Sequence, residues 1–134
     1  MLEHCTLCPR QCGVNRNAGE HGFCGADARI RIGLASLHQW EEPCLSGTNG
    51  AGTVFFCHCP LGCVYCQNHD ISGLDADASG ICTDISGLAD TFLSLQQRGA
   101  HNIDLVTPTQ YAAQLTQAIP LARQRGLTIP IVYN

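Results

Sequence analysis

Three closely spaced cysteines are the residues whose types and spacing most directly predict chemistry. Cys59, Cys63 and Cys66 form a C-x3-C-x2-C loop that follows almost directly on the apolar segment 53–56. Three thiolates on a short loop at the end of a strand can bind three irons of a four-iron, four-sulfur (4Fe-4S) cluster and leave the fourth iron open. We therefore predict a cluster whose open iron binds a substrate or cofactor.

Zinc is the alternative for the same loop. Zinc accepts four Cys or His ligands, so Cys57 or His58 could complete a site with the three thiolates. Structural zinc usually draws its ligands from two separate short loops, whereas these thiols crowd into one. This difference favours the cluster, with Cys57 as a neighbouring thiol outside the ligand set and His58 as a structural residue.

A second group of cysteines lies near the N-terminus, in a segment with little apolar periodicity. It has the spacing C-x2-C-x3-C-x11-C and consists of Cys5, Cys8, Cys12 and Cys24. Four thiolates in such a segment are typical of a structural metal, either zinc or a second iron-sulfur cluster, and a segment without metal is the third alternative. Cys44 and Cys82 are isolated, and we expect both to be small buried groups.

The composition restricts location and partners. Ten of the 134 residues are cysteine, yet there is no apolar N-terminal signal segment and no apolar stretch of about 18 residues. We therefore expect a cytoplasmic protein with reduced thiols and no membrane span. The formal charge is -4 and the seven Lys and Arg residues are scattered, so we expect no nucleic-acid partner.

The elements that must position the cysteine loop begin with two predicted strands. Residues 28–37 alternate apolar and polar side chains for part of their length, which indicates a strand. A Gly-rich turn at 46–52 then leads into a buried strand at 53–56. After the cysteines, residues 69–83 are predicted to form a polar connection.

Helices and strands alternate over the second half of the chain. The apolar spacing predicts a helix over 84–98 that is capped by its first residue, and then a strand at 102–107. A second helix is predicted between Thr109 and Gly126, and we expect Pro120 to kink or restart it. The last predicted strand is 127–133.

This order of elements predicts an α/β fold. Strand-helix-strand-helix-strand connections demand parallel pairing, so the last three strands are expected to form half of an α/β barrel or a small open sheet. The sequence ends at Asn134 with no helix to cover that edge, and we expect the N-terminal part of a longer protein. We assign 1–45 to a cysteine-rich segment and 46–134 to the N-terminal half of the core domain.

The cysteine loop resembles the cluster motif of the radical S-adenosylmethionine (SAM) superfamily. Within it, Cys-Val-Tyr-Cys-Gln-Asn-His-Asp, beginning at Cys63, is similar to the activating enzymes of pyruvate formate-lyase and other glycyl-radical enzymes. Further segments resemble an uncharacterised activase-related group and cover nearly the whole chain, but only the N-terminal half of such a protein: 5–12, 40–43, 52–56, 99–102 and 129–134.

The resemblance implies a partial (β/α)6 barrel whose first three strands are parallel. It implies that Cys59, Cys63 and Cys66 each bind one iron of a 4Fe-4S cluster and that the fourth iron binds SAM. Reductive cleavage of SAM then gives a 5'-deoxyadenosyl radical, which abstracts hydrogen from a substrate. The implied partners are a flavodoxin or ferredoxin-like electron donor and, as one candidate substrate, a glycyl-radical enzyme.

Three more residues are candidates for contact with SAM. By the resemblance, Tyr65 lies against the adenine; the alternative is a packing residue at the barrel mouth. Activases usually carry Gly-Gly-Glu after the second strand to hold the SAM amino group, whereas this chain has Thr-Pro-Thr-Gln from Thr107. We expect Thr107 or Thr109 to line the SAM site; the alternative is a strand end and a helix cap.

Two classes of function fit these residues. The first is a radical SAM enzyme, an activase-like oxidoreductase. The second is an iron-sulfur electron-transfer or metal-binding module without SAM chemistry. A response of the reduced cluster to SAM distinguishes the two.

Overall fold

A computed structural model describes residues 1–74 and 79–134, which form one layered α/β unit. The strands are β1 (Ile30–His38), β2 (Ala51–Phe56), β3 (Ile81–Thr83), β4 (Ile103–Val106) and β5 (Ile131–Tyr133). The helices are α1 (Pro43–Ser46), α2 (His69–Ser72), α3 (Ile85–Gln97) and α4 (Ala112–Gln124), with 3-10 turns at Arg16–Ala18 and Thr109–Tyr111. The sheet has the order β3-β1-β2-β4-β5.

The predicted fold class is wrong, because the sheet is mixed and does not begin as a parallel barrel. β1 pairs antiparallel with β2, and β3 pairs antiparallel with β1. Parallel pairing joins β2 to β4 and β4 to β5. The apolar pattern predicts where a strand lies but not which neighbour it pairs with or in which direction, since that depends on tertiary packing.

The connection predicted over 69–83 also differs from the structure. It contains the short helix α2 and the edge strand β3, while its residues 75–78 lie outside the described part of the chain. β3 has three residues, two of them exposed. A strand this short carries too little alternation for the sequence to reveal it.

Both long helices lie where the apolar spacing predicts them. The Asp84 carboxylate caps α3 by accepting a hydrogen bond from the Gly87 N–H at 2.7 Å. α4 continues through Pro120 to Gln124, so the helix does not restart at the proline. The predicted strands at 28–37, 53–56, 102–107 and 127–133 overlap β1, β2, β4 and β5.

One hydrophobic core lies between the long helices and the sheet. Alternate strand residues point into it, because successive side chains of a strand face opposite sides. Its buried members include Val54, Phe56, Ile103 and Leu105 from the strands and Leu88, Phe92, Leu95, Leu115 and Ala118 from the helices. This core holds β2 and β4 side by side and thereby sets the positions of the loops that follow them.

The two long helices, α3 and α4, are shorter than a lipid bilayer is thick. α3 and α4 have 13 residues each, whereas a membrane-spanning helix needs about 20 apolar residues. Throughout residues 1–74 and 79–134, no helix combines the length and the apolar character needed to cross a membrane.

The cap of α3 gives a first test of this fold. Asp84→Ala is expected to lower the free energy of unfolding by about 1 kcal/mol, because the Gly87 N–H loses its acceptor. Asp84→Asn is the matched control, since asparagine caps helices about as well as aspartate. Urea denaturation followed by circular dichroism measures both variants. Equal stability of the alanine variant and the parent chain would contradict the cap.

Candidate functional site

A cleft of about 390 Å³ opens at the carboxyl ends of β4 and β5. Its lining combines the cysteine loop, the turn after β4, the end of β5 and part of the N-terminal segment, and includes Arg10, Pro60, Leu61, Thr107, Thr109 and Tyr133. Open α/β sheets bind ligands at the carboxyl ends of their parallel strands. The volume also falls in the range of roughly 300–1,000 Å³ that is typical of small-molecule sites.

Both threonines that the sequence singles out lie in this cleft. Thr107 follows β4 directly, and its N–H donates to the Asn134 carbonyl at 3.1 Å, which ties the ends of β4 and β5 together. The Thr109 hydroxyl accepts a hydrogen bond from the Tyr133 hydroxyl at 3.1 Å. One side of the cleft therefore presents two aliphatic hydroxyls and a phenol.

The cysteine loop forms another side of the cleft. Pro60 and Leu61 line it, and the Leu61 N–H donates to the Cys59 Sγ at 3.4 Å. Cys59 and Cys66 are half-buried, whereas Cys63 is exposed. Among the residues that the structure describes, no three Cys, His, Asp or Glu side chains are grouped closely enough to hold a metal ion. The three thiols thus share one accessible loop without converging on one point.

The residues beside these cysteines differ sharply in exposure. Tyr65 is 84% exposed, and the described lining of the cleft does not include it. Cys57 and His58 are buried at the end of β2. The Cys57 N–H donates to the Arg31 carbonyl at 3.0 Å, and the His58 N–H to the Ile71 carbonyl at 2.6 Å. Both residues therefore belong to the packed interior, and the accessible loop begins at Cys59.

A buried glutamine that the sequence does not reveal joins the ends of β2 and β4. The Gln110 Nε2 donates to the carbonyls of Cys57, His58 and Thr107 at 3.0, 2.8 and 2.8 Å. His58 and Thr107 have φ angles of 67° and 55°, a left-handed conformation that costs a non-glycine residue about 1–2 kcal/mol. The amide offsets this cost and so directs both the cysteine loop and Thr107 toward the cleft.

The N-terminal segment is anchored to this glutamine by a buried arginine. Arg16 is 1% exposed. Its Nη1 donates to the Gln110 carbonyl at 2.5 Å, and its Nε and Nη2 donate to the Asp27 carbonyl at 3.0 and 2.5 Å. The segment that carries the four N-terminal cysteines is therefore tied to the turn that shapes the cleft.

Arg10 makes a second connection between the N-terminal segment and the cysteine loop. Its Nε and Nη2 donate to the carbonyls of Pro60 and Leu61 at 3.0 and 3.1 Å. The guanidinium also lies over the Phe23 ring, 3.7 Å from its centroid. In the sequence, Arg10 stands directly after Cys-Pro, but an arginine in a loop is most often solvated. Its partners Pro60 and Leu61 lie about fifty residues away, so no local pattern reveals these contacts.

The four N-terminal cysteines are brought together by the fold. They line one small cavity of about 10 Å³: Cys5, Cys8, Cys12 and Cys24. Burial raises the pKa of the Cys24 thiol, and two neighbouring cysteines add to the rise, whereas the Ala26 N–H and Arg16 oppose it. The fold therefore brings these cysteines to one cavity, although among the described residues no three of them lie close enough together to hold a metal ion as they stand.

The prediction that Cys44 and Cys82 are buried is wrong, because both are exposed. Cys44 lies in the single-turn helix α1, and Cys82 lies in the edge strand β3. α1 lies outside the sheet and the two long helices, and β3 is the edge strand of the sheet. Sequence composition alone favours burial of a free cysteine, but local placement decides it.

Asp104 is a buried carboxyl in the middle of β4, on the sheet face away from the core. It is 0% exposed, and within the described chain neither carboxyl oxygen has a partner in hydrogen-bond geometry. Burial raises its pKa, and Glu41 and Glu42 add to the rise, whereas the nearby Asn134 side chain and His38 oppose it. The signal in the sequence was a single carboxylate inside the apolar strand Ile-Asp-Leu-Val.

Comparison with known proteins adds one relative. Over 75 residues the chain is 41% identical to an uncharacterized protein of Methanocaldococcus jannaschii. The matched region is 54% of this chain but 20% of that protein, so the chain spans about one fifth of the relative's length. No protein-family model matches the chain, and no solved structure matches it significantly. Function must therefore be inferred from the site itself.

The amide bridge predicts a difference between two buried glutamines. Gln110→Ala is expected to cost about 2–3 kcal/mol of stability, because three carbonyls lose a donor. Gln114→Ala is the control: within the described part of the chain the Gln114 amide donates to one carbonyl, that of Ala28, so a loss of about 1 kcal/mol is expected. Urea denaturation measures both. Amide hydrogen exchange should also accelerate at residues 57–59 in the Gln110 variant alone, and equal exchange in the two variants would refute the bridge.

The buried carboxyl predicts a pH dependence of stability. Because the folded-state pKa of Asp104 is raised above its unfolded value, the folded chain binds more protons, and its stability falls as pH rises through the folded-state pKa. Asp104→Asn should therefore be more stable than the parent chain at about pH 8, with the advantage shrinking as the pH falls toward about 4.

The exposed Asp90 provides the matched control for that experiment. It pairs with Arg125 at 2.7 Å on the surface of α3, and Asp90→Asn is expected to change stability by less than about 0.5 kcal/mol. Thermal melts at the two pH values measure the difference. If the stability difference between Asp104→Asn and the parent chain is the same at both pH values, the pKa of Asp104 is not raised by folding, and the prediction is wrong.

Proposed function

We propose that this chain is a radical SAM iron-sulfur protein in which Cys59, Cys63 and Cys66 hold a 4Fe-4S cluster and SAM binds in the adjoining cleft. The observation that carries the proposal is the shared loop. Pro60 and Leu61, which lie between the first two cysteines, form one side of the small-molecule cleft. A cluster on this loop would therefore lie next to whatever the cleft binds.

The donor set fits an iron-sulfur cluster. Cysteine thiolates are the usual protein ligands of such clusters, and three of them leave one iron open. The Leu61 N–H already donates to the Cys59 Sγ, and hydrogen bonds to sulfur are among the features that tune cluster potentials. Since the three cysteines lie in an accessible loop, they can converge on a cluster without disturbing the core.

The groups in the cleft are complementary to SAM. The hydroxyls of Thr107 and Thr109 can accept hydrogen bonds from its amino group, in the position where activases carry Gly-Gly-Glu. The Arg10 Nη1, which is not used in the hydrogen bonds to Pro60 and Leu61, can donate to the SAM carboxylate, and the guanidinium attracts that carboxylate by charge. An aromatic contact with the adenine is available from Tyr133, which lines the cleft, or from Tyr65 on the exposed loop.

The protein's own contribution is orientation. When bound, the cluster supplies the electron for reductive cleavage of SAM, which is the hard chemistry of this enzyme class. The Gln110 amide holds the turns at His58 and Thr107, so the metal ligands and the SAM-binding hydroxyls keep a constant separation. The reaction fits an activase-like oxidoreductase, with a glycyl-radical enzyme as a candidate substrate.

The exposed tip of the cysteine loop suits an electron donor. Val64 and Tyr65 are 98% and 84% exposed, so a flavodoxin or ferredoxin-like protein could approach the cluster closely there. The reduced thiols that the cluster requires fit a cytoplasmic location. The same exposed tip would also suit an iron-sulfur electron-transfer module without SAM chemistry, which is the second candidate function.

The proposal is tested by reconstituting the 134-residue chain anaerobically with ferrous iron and sulfide. We expect about four irons per chain at this loop and a change in the electron paramagnetic resonance spectrum of the reduced cluster when SAM is added. Dithionite-reduced protein should release 5'-deoxyadenosine. Thr107→Val combined with Thr109→Val should weaken the response to SAM about 10-fold, since two hydrogen bonds are lost.

Single cysteine variants supply the controls. Cys63→Ser should lose the cluster, whereas Cys44→Ser, which also changes an exposed thiol, should retain it. A reduced cluster whose spectrum is unchanged by SAM, in a sample that forms no 5'-deoxyadenosine, would overturn the enzyme and favour the electron-transfer module. Full iron loading of the Cys63 variant would overturn the ligand assignment.

A further inference from the structure

We propose that Cys5, Cys8, Cys12 and Cys24 bind a single zinc ion, which fixes the N-terminal segment against the cysteine loop and the cleft. This site is separate from the 4Fe-4S site proposed above and does not depend on it. Three observations carry the inference: the arrangement of the four thiols, the size of the cavity between them and a buried positive charge beside it.

Two short turns present the four thiols to one another. The Cys5 N–H donates to the Val14 carbonyl and the Gly13 N–H donates to the Cys5 carbonyl, both at 3.0 Å, which closes the turn that carries Cys8 and Cys12. The Phe23 N–H then donates to the Cys12 Sγ at 3.3 Å and brings the next residue, Cys24, to the same place. Structural zinc sites commonly take their ligands from two such turns.

A glycine permits this close approach. A Cβ atom at Gly22 would lie 2.9 Å from both the Cys12 Cβ and the Cys12 Sγ, which is closer than real Cβ atoms come to their neighbours. Any larger residue at this position would therefore push the two turns apart. The backbone is shaped to bring the sulfur of Cys12 against the turn that precedes Cys24.

The size of the cavity selects a single ion. The cavity that the four cysteines line with Arg16 and four other residues has a volume of about 10 Å³, close to the smallest space that holds one water molecule. A 4Fe-4S cluster contains eight atoms and would not fit without opening the segment. A zinc ion bound by four thiolates at about 2.3 Å requires only that the sulfurs move inward around one atom.

The buried guanidinium of Arg16 indicates that the four-cysteine site carries negative charge when a metal is bound. Arg16 lines the same cavity, and its Nη1 lies 4.0 Å from the Cys5 Sγ. Its other partners are the carbonyls of Asp27 and Gln110 and the Tyr111 ring, whose centroid lies 5.8 Å from the Arg16 Cζ. Across residues 1–74 and 79–134 no carboxylate forms an ion pair with it. A buried guanidinium without an anion is costly. Zinc with four thiolates is dianionic and would supply the missing counter-charge.

The consequence for the cleft follows from the contacts of this segment. Arg10 comes two residues after Cys8 and donates to the carbonyls of Pro60 and Leu61. Arg16 holds the carbonyl of Gln110. A zinc ion would therefore hold both arginines in place against the cysteine loop and Gln110. Removal of the zinc should make the cysteine loop more mobile, while Cys59, Cys63 and Cys66 stay chemically unchanged.

The direct test is metal analysis of the 134-residue chain, produced with zinc and without iron reconstitution. We expect about one zinc per chain, and loss of at least about nine-tenths of it in Cys24→Ser, since zinc needs all four thiolates. Cys82→Ser is the control and should retain it. A triple variant with Cys59, Cys63 and Cys66 changed to serine should lose reconstituted iron but keep zinc, which separates this site from the proposed cluster.

A second measurement needs no variant and so avoids any folding defect. Cys12, Cys44 and Cys82 are all exposed, yet zinc should protect only Cys12 from iodoacetamide. We expect its alkylation rate, measured by mass spectrometry, to rise at least about 10-fold after a zinc chelator is added, because the free thiolate is the nucleophile, while the other two rates stay constant. Alkylation of Cys12 as fast as Cys44 before chelation, or iron rather than zinc in the triple variant, would overturn the proposal.

Discussion

The structure depends on one buried amide that spans the ends of two parallel strands. Gln110 donates to carbonyls at the end of β2 and at the end of β4, where His58 and Thr107 adopt left-handed conformations that side chains normally avoid. Without this donor, each of those carbonyls would lose a hydrogen bond in the interior, which is costly, and the two turns would relax. Because the cysteine loop and the threonine turn both start at these residues, the amide sets the distance between the cysteine loop and the cleft.

The N-terminal segment is part of the same arrangement. Arg16 reaches the carbonyl of Gln110 from a position 94 residues earlier in the chain, and Arg10 holds the backbone of the cysteine loop. Arg16 and the four N-terminal cysteines line the same small cavity. A segment with few apolar residues cannot fold on a core of its own, so hydrogen bonds from its two cations, and the metal we infer, take over that role.

The two faces of the sheet carry different kinds of side chain. One face packs on α3 and α4 and supplies the apolar core. The other carries Thr53 and Asp104, which are buried polar residues in neighbouring positions of β2 and β4. A carboxyl with a raised pKa in such a position is neutral over a wider pH range than usual and can then donate a hydrogen bond.

The amino-acid sequence by itself determined the local features: the two groups of cysteines, the helix cap at Asp84 and the helices α3 and α4. These depend on residues a few positions apart, for which spacing and periodicity are sufficient. Strand direction, the edge strand β3 and the contacts of Gln110, Arg16 and Asp104 came only with the tertiary structure. They join residues many tens of positions apart, and which of them meet is decided by how the whole core packs, which no local pattern contains.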